Sequence, residues 1–332
     1  MSIRESLKKF TVLKKKVRWL RSSWESLKHN PDILEKGSQA FFLATHRRTL
    51  ESPTVRETRL TEKLRAHMGR LPVELPTAST PGPAALWMQY RHDLRTKVLS
   101  EDPRDFKKWW VVAFTMGGNI RRKEFNKLAQ LPFWPEWSEA IAALKSPYQE
   151  PYYKLPATDG TTLLHAYHLA QFKIYCDKEV RDVNFIVDFG SGYGSMCALA
   201  YTLGFKGEYV LFDSPEFLLL QEFYLKLHGI DTSKIKFVST LSELEQVVGR
   251  RRGLLIGTWS VSETPVEFRE KFFTIFNPTD YLIGYQRRVM GVDNNAYFQT
   301  FAQRRPDISW HDFPIPNRTD SGNRYLLGTL RH

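Results

Sequence analysis

A chain of 332 residues, 42% hydrophobic and 25% charged, is long enough for one or two domains with a sizeable core and has the composition of an ordinary globular protein. No apolar run reaches the roughly eighteen residues that a membrane-spanning helix needs, and the opening Met1-Ser-Ile-Arg-Glu-Ser6 lacks the apolar core of a secretory signal. An integral helical membrane protein is therefore excluded and a cytoplasmic one expected. Two cysteines, Cys176 and Cys197, support neither a zinc spacing nor a Cys-His catalytic pair. Both sit in helical patterns beside apolar residues and read as reduced and buried.

The net charge of +12 is concentrated at the start, where residues 1–29 hold nine Lys/Arg against Glu5 and Glu25. In that stretch Ile3, Leu7, Phe10, Leu13, Val17, Leu20, Trp24 and Leu27 recur at steps of three and four, giving one apolar stripe on a basic helix. Three uses compete: docking on an anionic bilayer, pairing with a second copy along a near-heptad seam to form a homodimer, or packing on its own domain. Asn30-Pro31 ends the helix. Residues 32–75 read as two more helices divided near Ser52-Pro53, Leu75–Pro83 reads as a loop, and residues 84–99 read as a helix. Next comes an aromatic segment containing Trp109, Trp110, Phe114, Phe133, Trp134 and Trp137. Helical spacing favours core positions over a nucleic-acid surface built with Arg121, Arg122 and Lys123. This all-helical half names no chemistry.

The pattern changes near Ser146-Pro147. A helix opening in Thr158–His168 runs to about Asp177, and strands and helices then alternate. The strands are placed at 184–189, 208–213, 235–239, 253–259 and 280–286, and the helices at 193–204, 215–228, 241–248, 265–276 and 293–303. Two final strands, 308–313 and 324–330, have no helix between them. The expected fold is α/β: a doubly wound, mainly parallel seven-stranded sheet whose last strand is antiparallel, preceded by an all-helical N-terminal region.

The chemistry gathers at Phe185-Ile-Val-Asp-Phe-Gly-Ser-Gly-Tyr-Gly-Ser195, a buried strand entering Gly190, Gly192 and Gly194 and then a helix. Strand, glycine turn and helix are the context a nucleotide-binding motif requires. The second strand ends in Asp213, placed to accept the two hydroxyls of an adenosine ribose, with Ser214 beside it. NAD and S-adenosylmethionine both carry that ribose. The order Asp-x-Gly-x-Gly-x-Gly lacks the spacing that seats a pyrophosphate, and it resembles motif I of the class I S-adenosylmethionine-dependent methyltransferases. In that case Asp188 suits the ammonium of the cofactor's amino-acid tail. Ser239, Thr240 and Leu241, at the third strand end, are placed to touch the adenine; Thr258 and Trp259 end the fourth. Just beyond them stands Glu263, the first candidate for a base that takes a proton from an acceptor hydroxyl. Its competing use is as an acid capping helix 265–276. His165 and His168, three apart on one helix face, are the second candidates, and His311 reads as packing. No carboxylate cluster suggests a metal. The Asn/Asp-Pro-Pro-Tyr/Phe signature of nitrogen methylation is missing from the fourth strand end.

From about residue 150 the chain resembles the sugar O-methyltransferases of bacterial polysaccharide and natural-product gene clusters. The resemblance rests on Val187-Asp-Phe-Gly-Ser-Gly-Tyr-Gly194, Phe212-Asp-Ser-Pro-Glu216, Thr258-Trp-Ser-Val-Ser-Glu-Thr-Pro265 and Asn294-Asn-Ala-Tyr-Phe298. The first is common to the superfamily; the Trp-Ser-x-Ser-Glu run is the more particular. Ser214 stands where that family commonly has leucine. The resemblance implies that Gly190, Gly192, Gly194 and Asp213 bind S-adenosylmethionine and that Glu263 faces a sugar, nucleotide-sugar or glycan acceptor. The expected organisation is a basic helix over 1–29, a helical domain over 30–150 and a methyltransferase domain over 151–332. The expected place is the cytoplasm, at the inner membrane face if the basic helix docks there. An RNA methyltransferase and a cofactor-binding scaffold without catalysis are the alternatives, and the lack of a nitrogen-methylation signature weighs against nucleic acid.

Overall fold

A computed structural model describes residues 50–77, 79–118, 120–144, 151–316 and 322–331. The basic helix expected over 1–29, the helix before Ser52 and the boundary near Ser146-Pro147 lie outside the described residues. The described residues before 152 and after 154 form one compact unit. Among the described residues no helix is long and apolar enough to cross a membrane.

Seven strands make the central sheet: β1 (Phe185–Phe189), β2 (Glu208–Phe212), β3 (Ile235–Val238), β4 (Leu254–Thr258), β5 (Asp280–Tyr285), β6 (Ile308–Pro314) and β7 (Arg324–Leu330). Their spatial order is β6-β7-β5-β4-β1-β2-β3. β1 through β5 pair in parallel, while β7 runs antiparallel to both β5 and β6. This is the sheet of the class I methyltransferase fold. Parallel strands covered on both faces read as near-continuous apolar runs, and every residue of β1 and of β5 is buried, Asp188 and Asp280 included.

The helices in chain order are α1 (Val55–Arg70), α2 (Gly82–Ser100), α3 (Trp110–Thr115), α4 (Arg122–Leu128), α5 (Trp134–Ala143), α6 (Gly160–Cys176), α7 (Ser195–Thr202), α8 (Pro215–Leu227), α9 (Leu241–Val248), α10 (Val266–Ile275) and α11 (Asn294–Gln303). Their starts follow local rules. Thr54 with Glu57, and Thr240 with Glu243, form reciprocal capping boxes, and Pro215 opens α8. α1 lies on α8, where Lys63 meets Glu222 at 3.0 Å, and α2 joins α1 through Arg65, which donates to the Val98 carbonyl at 3.1 Å.

The aromatic segment divides. Trp109, Trp134 and Trp137 are core at 3%, 8% and 1% exposure, but Trp110 and Phe114 are 50% and 70% exposed. The expectation that all are core fails at these two because α3 is short and buries Val111 and Val112. The i, i+4 pair Trp110 and Phe114 then falls on its outer face. Cys176 and Cys197 are free and buried, as expected.

Candidate active site

The carboxyl ends of β1, β2, β3, β4 and β5 open on one side of the sheet, where ligands bind in doubly wound folds. The glycine turn after β1 closes on β2: the Gly190 N–H donates to the Phe212 carbonyl at 2.8 Å. Gly190, Gly192 and Gly194 have φ of 65°, 61° and 88°, values that favour glycine. At Gly190 there is a second reason, since a β-carbon would lie 2.3 Å from Ser260 Cβ.

Two cavities flank this turn among the described residues. The larger, about 650 Å³, is walled on the sheet side by Gly190, Gly192, Asp213, Ser214, Ser239, Thr258, Trp259 and Glu263. Opposite them stand Trp87, Arg91, Phe114 and Met116 from the helical segment. The smaller, about 110 Å³, is lined by Thr161, His165, His168, Asp188, Ser191, Ser195 and the same turn. Thr258, Trp259 and Met116 belong to both.

Asp188 is buried in the middle of the sheet, where Tyr209 donates to its Oδ2 at 2.9 Å, and burial pushes its carboxyl up to about 7. Asp213 accepts the Ser214 N–H at 2.7 Å and the Gln221 side chain at 3.1 Å. Burial raises it to about 7 as well. Gln221 also donates to the Gly192 carbonyl at 2.9 Å, so one side chain ties the glycine turn to the second strand end.

The turn after β4 is strained. Trp259 has φ 77° and ψ −45°, close to a γ-turn conformation that is rare for a side-chain-bearing residue. The surroundings determine it: its N–H donates to Gly284 O at 2.6 Å, and its carbonyl accepts from the Ser262 N–H and hydroxyl at 3.0 and 2.6 Å. Beyond it, Ser260–Glu263 form a short 3-10 turn that aims Glu263 into the larger cavity. Gln286 donates to Glu263 Oε1 at 3.2 Å, and burial raises the carboxyl. The helix after it begins with Pro265 in the cap position, so Glu263 is not that helix's cap.

Sequence reasoning missed the residues that hold this turn. Arg269, 1% exposed, donates to Thr264 O at 2.8 Å, Ser262 O at 2.7 Å and Asn294 Oδ1 at 2.7 Å. Asn294, fully buried, also donates to Gln286 O at 2.9 Å. The quoted stretch Asn294–Phe298 was the available signal, and its first residue now has a structural reason.

The other site candidates separate. His165 Nδ1 lies 3.0 Å from Ser195 Oγ, and burial lowers its pKa to about 4. His168 is buried, with Nδ1 2.5 Å from the Tyr325 hydroxyl. Both histidines line the smaller cavity and only Glu263 of the three lines the larger. Gly194 lines neither cavity: it caps α7, and a β-carbon there would meet Gln221 and Leu225 at 3.5 and 3.6 Å. Thr240 is a correction. Its side chain is spent on the cap of α9, accepting the Glu243 N–H at 3.1 Å, and the neighbouring Ser239 reaches the cavity instead. Helical-segment residues such as Trp87 and Arg91 carry no local motif that foretells their role.

No protein-family model matches this sequence, and no curated protein matches it. Among solved structures the chain is similar to an rRNA methylase from Streptococcus thermophilus, at 15% identity and a TM-score of 0.37 over 51% of this chain and 95% of that one. It is also similar to precorrin-6y C5,15-methyltransferase from Geobacter metallireducens, at 11% identity and a TM-score of 0.35 over 51% and 88%. A third match is the methyltransferase domain of bacterial CtHen1, at 14% identity and a TM-score of 0.39 over 51% and 99%. Likeness this distant leaves the chemistry to be argued from the site.

Proposed function

We propose that this protein is an S-adenosylmethionine-dependent O-methyltransferase acting on a sugar hydroxyl. The residues suit the cofactor. Asp213 offers carboxylate oxygens for the ribose hydroxyls, and Phe212, Pro215, Phe217 and Phe268 offer apolar surface for a purine. Asp188 offers an acid for the amino-acid tail in the adjoining cavity. The larger cavity lies within the range of ligand sites and leaves room for an acceptor beside the cofactor. Bound S-adenosylmethionine supplies a methyl group on a sulfonium, which is an excellent leaving group.

Alignment therefore provides much of the acceleration, and the protein's tasks are to hold the acceptor and remove its proton. Glu263 takes that proton. Burial raises its carboxyl above the usual carboxylate range, which strengthens it as a base, and Gln286 fixes one oxygen so that the other can face the hydroxyl. Trp259, held in its strained turn, walls both cavities and so borders both ends of the proposed cofactor site.

One observation carries the choice of a sugar over RNA. Arg91 is the only cation among the described residues of the larger cavity. It is bonded to both oxygens of Glu216, at 2.7 and 3.2 Å, and to Glu74 at 3.0 Å. The remaining polar lining is hydroxyls, amides and the carboxyls of Asp213 and Glu263. Such a wall suits a neutral polyol and offers no free charge to a phosphate backbone. The test is to incubate the protein with isotopically labelled S-adenosylmethionine and fractionated host lysate, then locate the label by mass spectrometry. Label in a glycan fraction is expected; label in RNA would overturn the assignment.

A further inference from the structure

Beneath the glycine turn lies a buried ion pair that the reaction above does not use. Lys107 lies in the last turn of the 3-10 helix Pro103–Lys108 in the helical segment. Its Nζ lies 2.5 Å from Asp159 Oδ2, and the two side chains are 10% and 7% exposed. The same ammonium sits 4.9 Å from the ring centre of Tyr193 and 5.1 Å from that of Tyr224, within cation–π range of both. Burial works against the charge on Lys107, but the carboxylate of Asp159 overrides it and holds the group protonated. Asp159 likewise stays ionised despite burial, beside the Lys107 charge. Its other oxygen accepts the Thr162 N–H at 2.7 Å and caps α6.

A buried pair of this kind is weak evidence for stability, because well-packed apolar residues of similar volume do as well. What it fixes is geometry. Tyr193 is the residue between Gly192 and Gly194, and α6 carries Thr161 and His165. Tyr193 itself lines the smaller cavity, and Asp159 caps the helix that contributes Thr161 and His165 to its wall. Asp213 and Ser239, which face the ribose and purine in the reading above, line only the larger one. The smaller cavity is suited to a zwitterion. Asp188 is its acid, and the hydrogen-bonded pair of Ser195 and a neutral His165 keeps one donor free for a carboxylate.

We propose that Lys107 is a positioning residue for the amino-acid end of the cofactor: it clamps Tyr193 of the glycine turn and Asp159 at the head of α6, and so sets the shape of the smaller cavity. This inference rests on the cofactor assignment above. It also gives the helical segment a part in building the cofactor site. The clamp acts at one end of the ligand only, and that asymmetry can be measured.

The experiment compares two ligands by calorimetry, S-adenosylhomocysteine and 5′-methylthioadenosine, which lacks the amino-acid tail. The double variant Lys107→Met/Asp159→Asn removes both charges, keeps the side-chain sizes and retains an acceptor for the Thr162 N–H. Affinity for S-adenosylhomocysteine is expected to fall at least tenfold, while affinity for 5′-methylthioadenosine stays within twofold of wild type. Equal loss for both ligands, or no loss for either, would overturn the proposal. If the double variant does not fold, Tyr193→Leu keeps the ion pair, removes the ring under the ammonium and is expected to show the same split. Wild-type protein that binds neither ligand would overturn the cofactor assignment itself, a result distinct from loss of the split.

Discussion

Replacing Asp213 by asparagine tests the cofactor assignment most directly. The carboxylate already accepts the Ser214 N–H at 2.7 Å on one oxygen and the Gln221 amide at 3.1 Å on the other. Each oxygen retains acceptor capacity toward the cavity, where a ribose would donate two hydroxyls. Asparagine keeps the size but exchanges one acceptor for an NH2 group, which meets a donor whichever way the amide turns. A hydrogen bond to a charged acceptor contributes about 1.5–3 kcal/mol. Losing one should weaken S-adenosylhomocysteine binding roughly ten- to a hundred-fold, at about 1.4 kcal/mol per decade. The assay is calorimetric titration at pH 8, above the pKa of about 7 at which this buried carboxyl ionises. The free variant should melt at or slightly below wild type, because the neutral amide spares the cost of ionising an acid but turns its NH2 toward the Ser214 N–H or the Gln221 amide. Unchanged affinity would remove Asp213 from the cofactor site, and loss of a cooperative melting transition together with affinity would make the effect structural.

Glu263→Gln should bind S-adenosylhomocysteine within about twofold of wild type yet lose transfer to the acceptor fraction; full turnover would leave Glu263 a merely packed acid. Gly190→Ala and Gly192→Ala both place a side chain at φ near 60°, at about 1–2 kcal/mol each. Only at Gly190 does the new carbon overlap Ser260, while at Gly192 it meets Met116 at an ordinary 3.6 Å. Urea unfolding should therefore rank Gly190→Ala as the less stable variant, and the reverse order would contradict the packing of the turn. For pH, Asp188 and Asp213 both ionise near 7, well above the usual 3.8. S-adenosylhomocysteine should bind more tightly as pH rises from 6 to 8, with proton release visible in buffers of different ionisation enthalpy. In the ligand-free protein the sign is opposite: the folded state holds these protons more firmly than the unfolded chain, so their contribution to stability is present below pH 4 and lost as pH rises toward 7. A flat binding profile across that window would refute both shifts.

Most of the fold and half of the site were legible in the residues. Apolar runs bounded by glycine and proline place the strands within a residue or two, because a strand covered on both faces tolerates little else. The order of elements makes the last strand antiparallel, since no helix joins the final two. The glycine turn and Asp213 were equally legible, as a tight left-handed turn and a strand-end acid are local requirements. Thr240 misled because a strand-end hydroxyl and a helix cap read alike until Glu243 is seen folding back on it. Trp110 and Phe114 misled because helical spacing says which residues share a face but not which way it points. Only the tertiary structure brings Trp87, Arg91 and Met116 across from the strand ends, or buries Lys107 between Asp159 and Tyr193. Those contacts join stretches of chain far apart in sequence, and their partners are chosen by how helices pack on a finished sheet. The amino-acid order by itself determined a left-handed glycine turn and a strand-end acid on a doubly wound sheet; the packed molecule decided which side chains close over them.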